Sequence, residues 1–259
     1  MKASILGLVL LGACSTPTGV MALPIDDWNA WLYVPDDLPD GPVPALVHLH
    51  YAGEGEKLAN DRELQAELQE SKMIGVFPEG GGGPGDDWRV GVNKDEIQRD
   101  DRGFLAKVAR AIRERDDVEG VYLSGFSKGG AMVYDMACLG DDVYDGFLPM
   151  GGAMQDWVFE DCPAAQRPLR HLQGRTDPKW PRTTADNPDS NHEGIVDSIT
   201  ALQDEPNCMQ TQTWEGDCEV WAGCGFDTRL CWFDGGHFEP DGWIVAHRNW
   251  IDGVHGASR

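Results

Sequence analysis

The stretch of sequence that decides the fold is Gly120-Val121-Tyr122-Leu123-Ser124-Gly125-Phe126-Ser127-Lys128-Gly129-Gly130-Ala131-Met132. Its first five residues predict a strand, and a helical pattern begins after Gly130. Between them, the residues from Gly125 to Gly129 match G-x-S-x-G, in which a sharp strand-to-helix turn exposes a serine hydroxyl above a sheet. Ser127 is therefore the candidate nucleophile. The simpler alternative is a glycine-rich turn whose serine only caps the helix.

Short apolar runs on both sides of this stretch predict further strands. With the strand already quoted, the set is Trp28–Val34, Ala45–His50, Met73–Phe77, Gly120–Ser124, Gly146–Met150, Leu169–Leu172 and Arg229–Phe233. The middle runs are continuous rather than alternating, which is typical of parallel strands covered on both faces. Amphipathic stretches over residues 58–70, 97–112 and 129–138 lie between the runs. This alternation predicts one α/β domain with a mostly parallel central sheet and helices on both faces.

A serine hydroxyl needs a base that takes its proton, and the chain has seven His to choose from. In folds with this turn, the acid and the histidine follow the serine along the chain, in that order. His237 stands in Gly235-Gly236-His237, directly after the last predicted strand. Two glycines there allow a loop to carry the ring over the edge of the sheet. We therefore predict His237 as the base.

The acid of a Ser-His-Asp triad should lie in the loop after Leu169–Leu172. Asp177 stands there, shortly after Gly174. Its carboxylate would accept a hydrogen bond from the imidazole and fix the tautomer of the ring. Asp186 and Asp189, later in the same loop, are the alternatives.

Acyl transfer also needs two hydrogen-bond donors for the oxyanion of the tetrahedral intermediate. The first predicted donor is the backbone N–H of Lys128, directly after the nucleophile. The second is the N–H of Ala52, with that of Tyr51 as the alternative. His48 and His50 share one face of the preceding strand, but no third metal ligand is apparent near them, so we predict no metal and no organic cofactor.

These pieces resemble a group of α/β-hydrolases that contains polyhydroxybutyrate depolymerases, feruloyl esterases and acetylxylan esterases. The matching segments are Leu32-Tyr33-Val34-Pro35, Val47-His48-Leu49-His50, Phe77-Pro78-Glu79-Gly80, Leu123 to Met132, Gln173-Gly174-Arg175-Thr176-Asp177-Pro178 and Gly235-Gly236-His237. The resemblance implies the α/β-hydrolase fold. It also implies that Ser127, Asp177 and His237 form a triad that hydrolyses carboxylic esters through an acyl-enzyme.

The substrate end of the site departs from the pattern of this group. Tyr51 stands where the group usually has Gly, Lys128 replaces a commonly small or neutral residue, and the loop after Asp177 carries an unusual Trp-Pro-Arg. Trp88, Trp180 and Trp243 lie in or near loops that should rim the site, where flat rings suit sugars, aromatic acyl groups or polyester chains. We expect polysaccharide-linked feruloyl or acetyl esters, or polyesters, as substrates.

The amino-terminal residues predict export. A positive start and a short apolar run over residues 5–11 are typical of a signal peptide. Leu11-Gly12-Ala13-Cys14 resembles a bacterial lipobox, in which the chain is cut before the Cys and the Cys carries lipid. We therefore expect a signal peptide at 1–13, a lipidated tether at 14–25 and the catalytic domain at 26–259. Ordinary secretion is the alternative.

The other six of the seven Cys are an even number, which in an exported protein predicts disulfides rather than metal ligands. A zinc site built from the last four is the alternative, but they form no CxxC pair. Spacing alone leaves the pairing open. The resemblance suggests pairing Cys138 with Cys162 and Cys208 with Cys224, which leaves Cys218 with Cys231.

The formal net charge of −23 narrows the range of partners. An acidic surface repels the phosphates of nucleic acids and of anionic bilayers, so we expect no nucleic-acid partner and a tie to a bacterial membrane through lipid only. We expect a monomer that meets its ester substrate outside the cytoplasm. The rival hypotheses are a serine peptidase on the same fold and a non-catalytic binding lipoprotein.

Overall fold

The structure is a computed structural model of the chain. It describes residues 18–81, 88, 100–140, 142–160, 162, 167–186, 191–203 and 211–257. One sheet of ten strands runs through these residues, in the order β1-β2-β4-β3-β5-β6-β7-β10-β9-β8. The strands are β1 Gly19–Ile25, β2 Trp28–Val34, β3 Val43–Leu49, β4 Ile74–Pro78, β5 Val118–Phe126, β6 Gly146–Met150, β7 Leu169–Gly174, β8 Thr211–Glu215, β9 Cys218–Ala222 and β10 Thr228–Phe233.

The six central strands are parallel. They run β4-β3-β5-β6-β7-β10 across the sheet, and every residue of β3, β4, β6 and β7 is buried. Continuous apolar sequence is what burial on both faces requires, so the predicted α/β class is confirmed. Because all six carboxyl ends lie at one edge of the sheet, the loops that follow these strands gather there.

The helices cover both faces of the sheet. Core residues of α3, α4 and α6 pack on one face, and those of α1, α2 and α7 pack on the other. The helices are α1 Gly55–Ala59, α2 Arg62–Ser71, α3 Asp101–Arg113, α4 Lys128–Ala137, α5 Asp156–Phe159, α6 Ile195–Ala201 and α7 Trp243–Ala257, with a short 3₁₀ helix at Thr184–Asp186. Asp61 and Asp100 start α2 and α3 by accepting hydrogen bonds from backbone N–H groups of the first turn. No helix in the described part of the chain is long and apolar enough to cross a membrane.

The first strand corrects the expected tether. Residues 19–25 were assigned to a lipidated linker, but they form β1, which pairs with β2 along its whole length. Pro24 lacks an N–H and would interrupt a central strand, but it is tolerated in a strand at the edge of a sheet.

At the other edge, β9 and β8 add to β10 in antiparallel fashion, and the strand pattern did not predict these two strands. Cys218 and Cys231 face each other across β9 and β10 and form a disulfide. A second disulfide joins Cys138, at the end of α4, to Cys162. Both pairings agree with the resemblance. Cys224 is disulfide-bonded too, whereas Cys208 and Cys14 lie outside the described residues.

Candidate active site

Ser127 lies in the turn between β5 and α4, above the edge that holds the carboxyl ends of the parallel strands. Its backbone has φ 54° and ψ −114°, a conformation that residues other than glycine rarely adopt. The Ser127 N–H donates to the Met150 carbonyl at the end of β6, at 2.9 Å, and this bond helps to hold the turn. Strain of this kind persists only where the surrounding structure enforces it, and it is concentrated at functional sites.

Glycines make this turn possible by letting backbones approach each other. A Cβ at Gly129 would collide with the Leu49 carbonyl of β3, and a Cβ at Gly152 would collide with the carbonyl of Ser127. The start of α4 is therefore wedged between the chain ends that leave β3 and β6. This packing keeps the serine raised over the sheet.

The structure brings the three predicted triad side chains together. His237 Nε2 lies 3.0 Å from Ser127 Oγ, and His237 Nδ1 lies 2.8 Å from Asp177 Oδ2. Because a carboxylate only accepts hydrogen bonds, Nδ1 carries the ring proton and Nε2 is left to accept the serine proton. The side chain of Asp177 is 1% exposed and that of His237 is 13% exposed, so the acid is shielded while the base reaches the surface.

The acid and the base meet because their loops leave neighbouring strands. The parallel ladder of β7 and β10 continues past the strand ends, where Arg175 N–H donates to Phe233 O at 3.0 Å and Thr176 N–H donates to Gly235 O at 2.9 Å. The acid loop and the histidine loop thus run side by side up to Asp177.

An ion pair whose carboxylate is buried anchors the acid loop beyond Asp177. Arg182 donates two hydrogen bonds to Glu219 on β9, whose side chain is 1% exposed, and Trp232 Nε1–H donates to the same carboxylate at 2.7 Å. The second oxygen of Asp177 accepts the N–H of Lys179 at 2.8 Å. These bonds fix the loop at both ends of its Trp-Pro-Arg segment.

The rival acid Asp186 has a different task. It accepts hydrogen bonds from the N–H and the hydroxyl of Thr183 at 2.9 and 2.8 Å, and the hydroxyl bond in particular lowers the pKa of Asp186. It therefore closes a surface turn, and the acid beside the His237 ring is Asp177. Asp189 lies outside the described residues.

The loop expected to supply the second oxyanion donor is held by Glu79, a residue that the sequence reasoning did not assign. Glu79 is 5% exposed, and its carboxylate accepts the N–H groups of Gly55 and Glu56 at 3.0 and 3.1 Å. The adjacent Gly80 N–H donates to His50 Nε2 at 3.0 Å. These bonds pin both ends of the segment that contains Ala52. A signal was present, because a carboxylate among apolar residues at the end of a strand needs buried partners.

The donor roles of Lys128 and Ala52 stay predictions. Lys128 is the first residue of α4, so its N–H belongs to the amino-terminal turn that carries Ser127. Ala52 lies in the loop between β3 and α1.

Two of the three tryptophans predicted to rim the site are buried instead, so this part of the prediction is wrong. Trp88 is 4% exposed, donates its Nε1–H to the His50 carbonyl at 2.7 Å and lies against the His50 ring. Trp243 is 4% exposed and packs on the His48 ring, with centroids 4.6 Å apart. Both large rings fill space beneath the loops because burial of their apolar area is favourable. Trp180 is partly buried and packs on His192, with centroids 4.2 Å apart.

The exposed aromatic rings beside the site are instead Tyr51 and Phe238, at 51% and 50% exposure. Tyr51 meets Phe126 edge-on, and Phe126 lies 4.7 Å from the His237 ring between centroids. Phe238 directly follows His237 and packs on Phe233. Tyr51, which the sequence marks as a departure from the resemblance, therefore belongs to the rim.

Neither His48, on β3, nor His50, directly after it, lies in a cluster of metal ligands among the described residues. Among the described residues, no group of three His, Cys, Asp or Glu side chains could hold a metal ion. His50 accepts the N–H of Gly80, and His48 contacts Glu239 and Ser124.

Comparison with known proteins finds likeness in structure. No protein-family model matches the sequence, and no curated protein does. An acetyl xylan esterase from Aspergillus awamori superposes with a TM-score of 0.61 at 11% identity, covering 92% of this chain and 99% of that one. Est1E from Butyrivibrio proteoclasticus, solved with ferulic acid bound, gives 0.58 at 14% identity, with 91% and 99% covered. An S-formylglutathione hydrolase from Staphylococcus aureus gives 0.56 at 11% identity, with 92% and 99% covered.

These likenesses extend over nearly the whole chain, and they agree with the mostly parallel sheet covered by helices. The protein therefore has the α/β-hydrolase fold.

Proposed function

We propose that the protein is a serine hydrolase of carboxylic esters. The observation that carries this proposal is the continuous row from Ser127 through His237 to Asp177, with 3.0 and 2.8 Å between neighbouring polar atoms. The row ends at a serine in a strained turn over the carboxyl edge of the sheet. A serine that only capped a helix would need neither the imidazole nor the buried carboxylate. The names of the structural neighbours support the same reaction class.

The reaction follows from the geometry of the row. As Ser127 Oγ attacks the ester carbonyl, its proton passes to His237 Nε2, and Asp177 stabilises the imidazolium that results. The carbonyl oxygen becomes an oxyanion, which the backbone N–H groups of Lys128 and Ala52 would stabilise. His237 then returns the proton to the departing alcohol as the acyl-enzyme forms. Water enters by the same route, releases the acid and restores the Ser127 hydroxyl.

For substrates, we propose acetyl or feruloyl esters carried by polysaccharides, with polyesters as the second choice. The exposed rings of Tyr51 and Phe238 offer flat apolar surfaces beside the reacting serine, on which a sugar or an aromatic acyl group can lie. One structural neighbour is named as an acetyl xylan esterase, and another holds ferulic acid.

We further propose that the enzyme works outside the cytoplasm and is tied to a bacterial membrane by lipid on Cys14. The support is the lipobox-like Leu11-Gly12-Ala13-Cys14 and the use of other cysteines in disulfides, which persist in oxidising compartments. Incorporation of labelled palmitate into the full-length chain, compared with Cys14→Ala, tests this part by itself.

The test of the activity is hydrolysis of p-nitrophenyl acetate by the folded protein. We expect turnover that falls by about 10⁴-fold or more in Ser127→Ala, because the variant keeps the fold and loses the nucleophile. A fluorophosphonate probe should label the wild type at Ser127 and leave the variant unlabelled. Feruloyl, acetyl-xylan and polyester substrates would then be ranked by kcat/KM. A folded wild type that neither turns over any of these esters nor takes the label would favour the binding-lipoprotein hypothesis.

A further inference from the structure

A row of polar side chains crosses the apolar layer between the sheet and α7. Its links are Arg170 Nη1 to His247 Nδ1 at 2.8 Å, His247 Nε2 to Ser124 Oγ at 3.4 Å, Ser124 Oγ to His48 Nδ1 at 3.4 Å and His48 Nε2 to Glu239 Oε1 at 3.0 Å. Arg170 is 8% exposed, His48 is 2% exposed, and Ser124 and His247 are fully buried. The triad reaction uses none of these groups.

The two charged ends fix the direction of the hydrogen bonds. Arg170 can only donate, so His247 Nδ1 accepts and Nε2–H points to Ser124. Burial and the nearby Arg170 hold the pKa of His247 well below its ordinary value, which keeps this ring neutral. At the other end a lone pair on His48 Nε2 would repel the Glu239 carboxylate, so that nitrogen carries a proton. Ser124 can give its own proton to His48 Nδ1 or to the Leu148 carbonyl, 3.1 Å away.

The last link joins the two loops that the reaction depends on. Glu239 follows His237 by two residues. His48 is the next-to-last residue of β3, and the loop that contains Ala52 begins directly after this strand. Glu239 Oε1 is buried and makes no well-aligned hydrogen bond to any described residue, His48 included, so the 3.0 Å contact with His48 Nε2 is what holds it. A cavity of about 170 Å³ lies beside the contact and is lined by both residues and by the Ala52 loop. Because this cavity is open space, no packed side chain on that side holds Glu239 in place of the contact with His48.

We propose that Glu239 and His48 are positioning residues that set the place of His237 over Ser127. This inference rests on the proposed function, since it concerns where the base of that reaction is held. A polar contact of this kind is seldom more stabilising than apolar residues of similar size, so stability alone gives little reason for this one. The need for a fixed geometry at the reacting groups gives a stronger reason, because displacing a reacting group by about 1 Å costs on the order of 100-fold in rate.

The test is a double-mutant cycle with Glu239→Gln, which keeps the size of the side chain and removes its charge. In the wild-type background we expect kcat for p-nitrophenyl acetate to fall by about 10- to 100-fold, with KM within about twofold. In the His237→Ala background we expect Glu239→Gln to cost nothing further, because the group that it positions is gone. A residue needed only for folding would lower activity in both backgrounds.

Glu67→Gln is the matched control. Glu67, on α2, accepts the N–H groups of Gly242 and Ile244 at 2.9 and 3.1 Å and so holds the start of α7 from outside the row. Its loss should lower the melting temperature and leave kcat unchanged. If Glu239→Gln shows no cooperative unfolding, His48→Gln replaces it in both backgrounds.

Three results would overturn the proposal: a kcat within about twofold of wild type, an equal loss in both backgrounds, or an equal loss in Glu67→Gln. Each leaves the esterase assignment standing as long as the wild type turns over and Ser127→Ala does not. Failure of the proposed function would appear first, as absence of that difference.

Discussion

Strand β5 and the turn after it carry two serines, three residues apart, and each meets a histidine that meets a carboxylate. In one row, Ser127 lies 3.0 Å from His237, which lies 2.8 Å from Asp177. In the other, Ser124 lies 3.4 Å from His48, which lies 3.0 Å from Glu239. The chemical groups are the same, but Ser124 sits within the strand and is fully buried, whereas Ser127 occupies the strained turn beyond the strand.

The difference teaches that residue types alone do not make a nucleophile. Ser124 has no exposed surface at which an ester could approach, and its hydroxyl is shared with the Leu148 carbonyl. Ser127 faces the accessible nitrogen of a ring whose other nitrogen is committed to an acid. An ester can therefore reach a serine in the turn but not one within the buried strand.

The largest expected effect comes from removing the charge of the Asp177 carboxylate, compared with that of Asp186. Asp177→Asn should lower kcat by about 10⁴-fold while the fold stays intact, because an amide no longer fixes the tautomer that accepts the serine proton. The matched control is Asp186→Asn in the same loop, for which kcat should stay within about twofold. Steady-state kinetics on p-nitrophenyl acetate measure both. Equal losses in the two variants would remove Asp177 from the role of acid.

A smaller effect concerns another buried histidine, His171, which contacts the Tyr134 hydroxyl at 2.7 Å and the Gln173 side chain at 3.1 Å. Burial lowers the pKa of His171 to about 4, from the 6.5 that is ordinary for histidine. Between these pH values the unfolded chain takes up a proton that the folded chain does not, so the free energy of unfolding falls as the pH falls. The contribution of this group is roughly 3 kcal/mol.

Urea unfolding at pH 4 and pH 7, compared between wild type and His171→Gln, measures this contribution. The variant should lose less stability on acidification than the wild type does. Equal losses would mean that His171 takes up its proton alike in the folded and unfolded chain.

The smallest effect belongs to the buried serine. Ser124→Ala should lower the free energy of unfolding by about 1–3 kcal/mol, because two buried ring nitrogens lose a partner. We expect kcat to fall by no more than about tenfold, and fluorophosphonate labelling of Ser127 to persist. A loss as large as that of Ser127→Ala, in a protein that is still folded, would break the contrast between the two rows.

Local sequence was enough to predict what depends on local pattern. Strands β2 and β6 were predicted with the bounds observed, and the fold class follows from the central runs. The edge strand β8 was missed because its sequence is mostly polar, so no apolar run marks it. The edge strand β1 is apolar, but it contains Pro24 and follows the predicted signal peptide, where a linker is equally expected.

The site divides in the same way. Ser127, His237 and Asp177 follow strands, and parallel strands deliver their carboxyl ends to one edge, so sequence order placed them correctly. Trp88 and Trp243 could not be placed, because a large ring near a loop is equally suited to lie under it or over it. Glu239 was missed because its partner stands nearly two hundred residues away, on a strand that looks wholly apolar apart from its histidines.

The position of β10 between β7 and β9 has a consequence for biosynthesis. Ser127 and His237 are 110 residues apart, and the loop that holds His237 exists only once β10 has docked beside β7. A growing chain thus carries its serine long before it carries a base beside that serine. Contacts so distant along the chain form slowly, because a long loop must close first. The proposed hydrolysis is therefore a late property of the folding protein, and a chain that stops short of β10 would lack it.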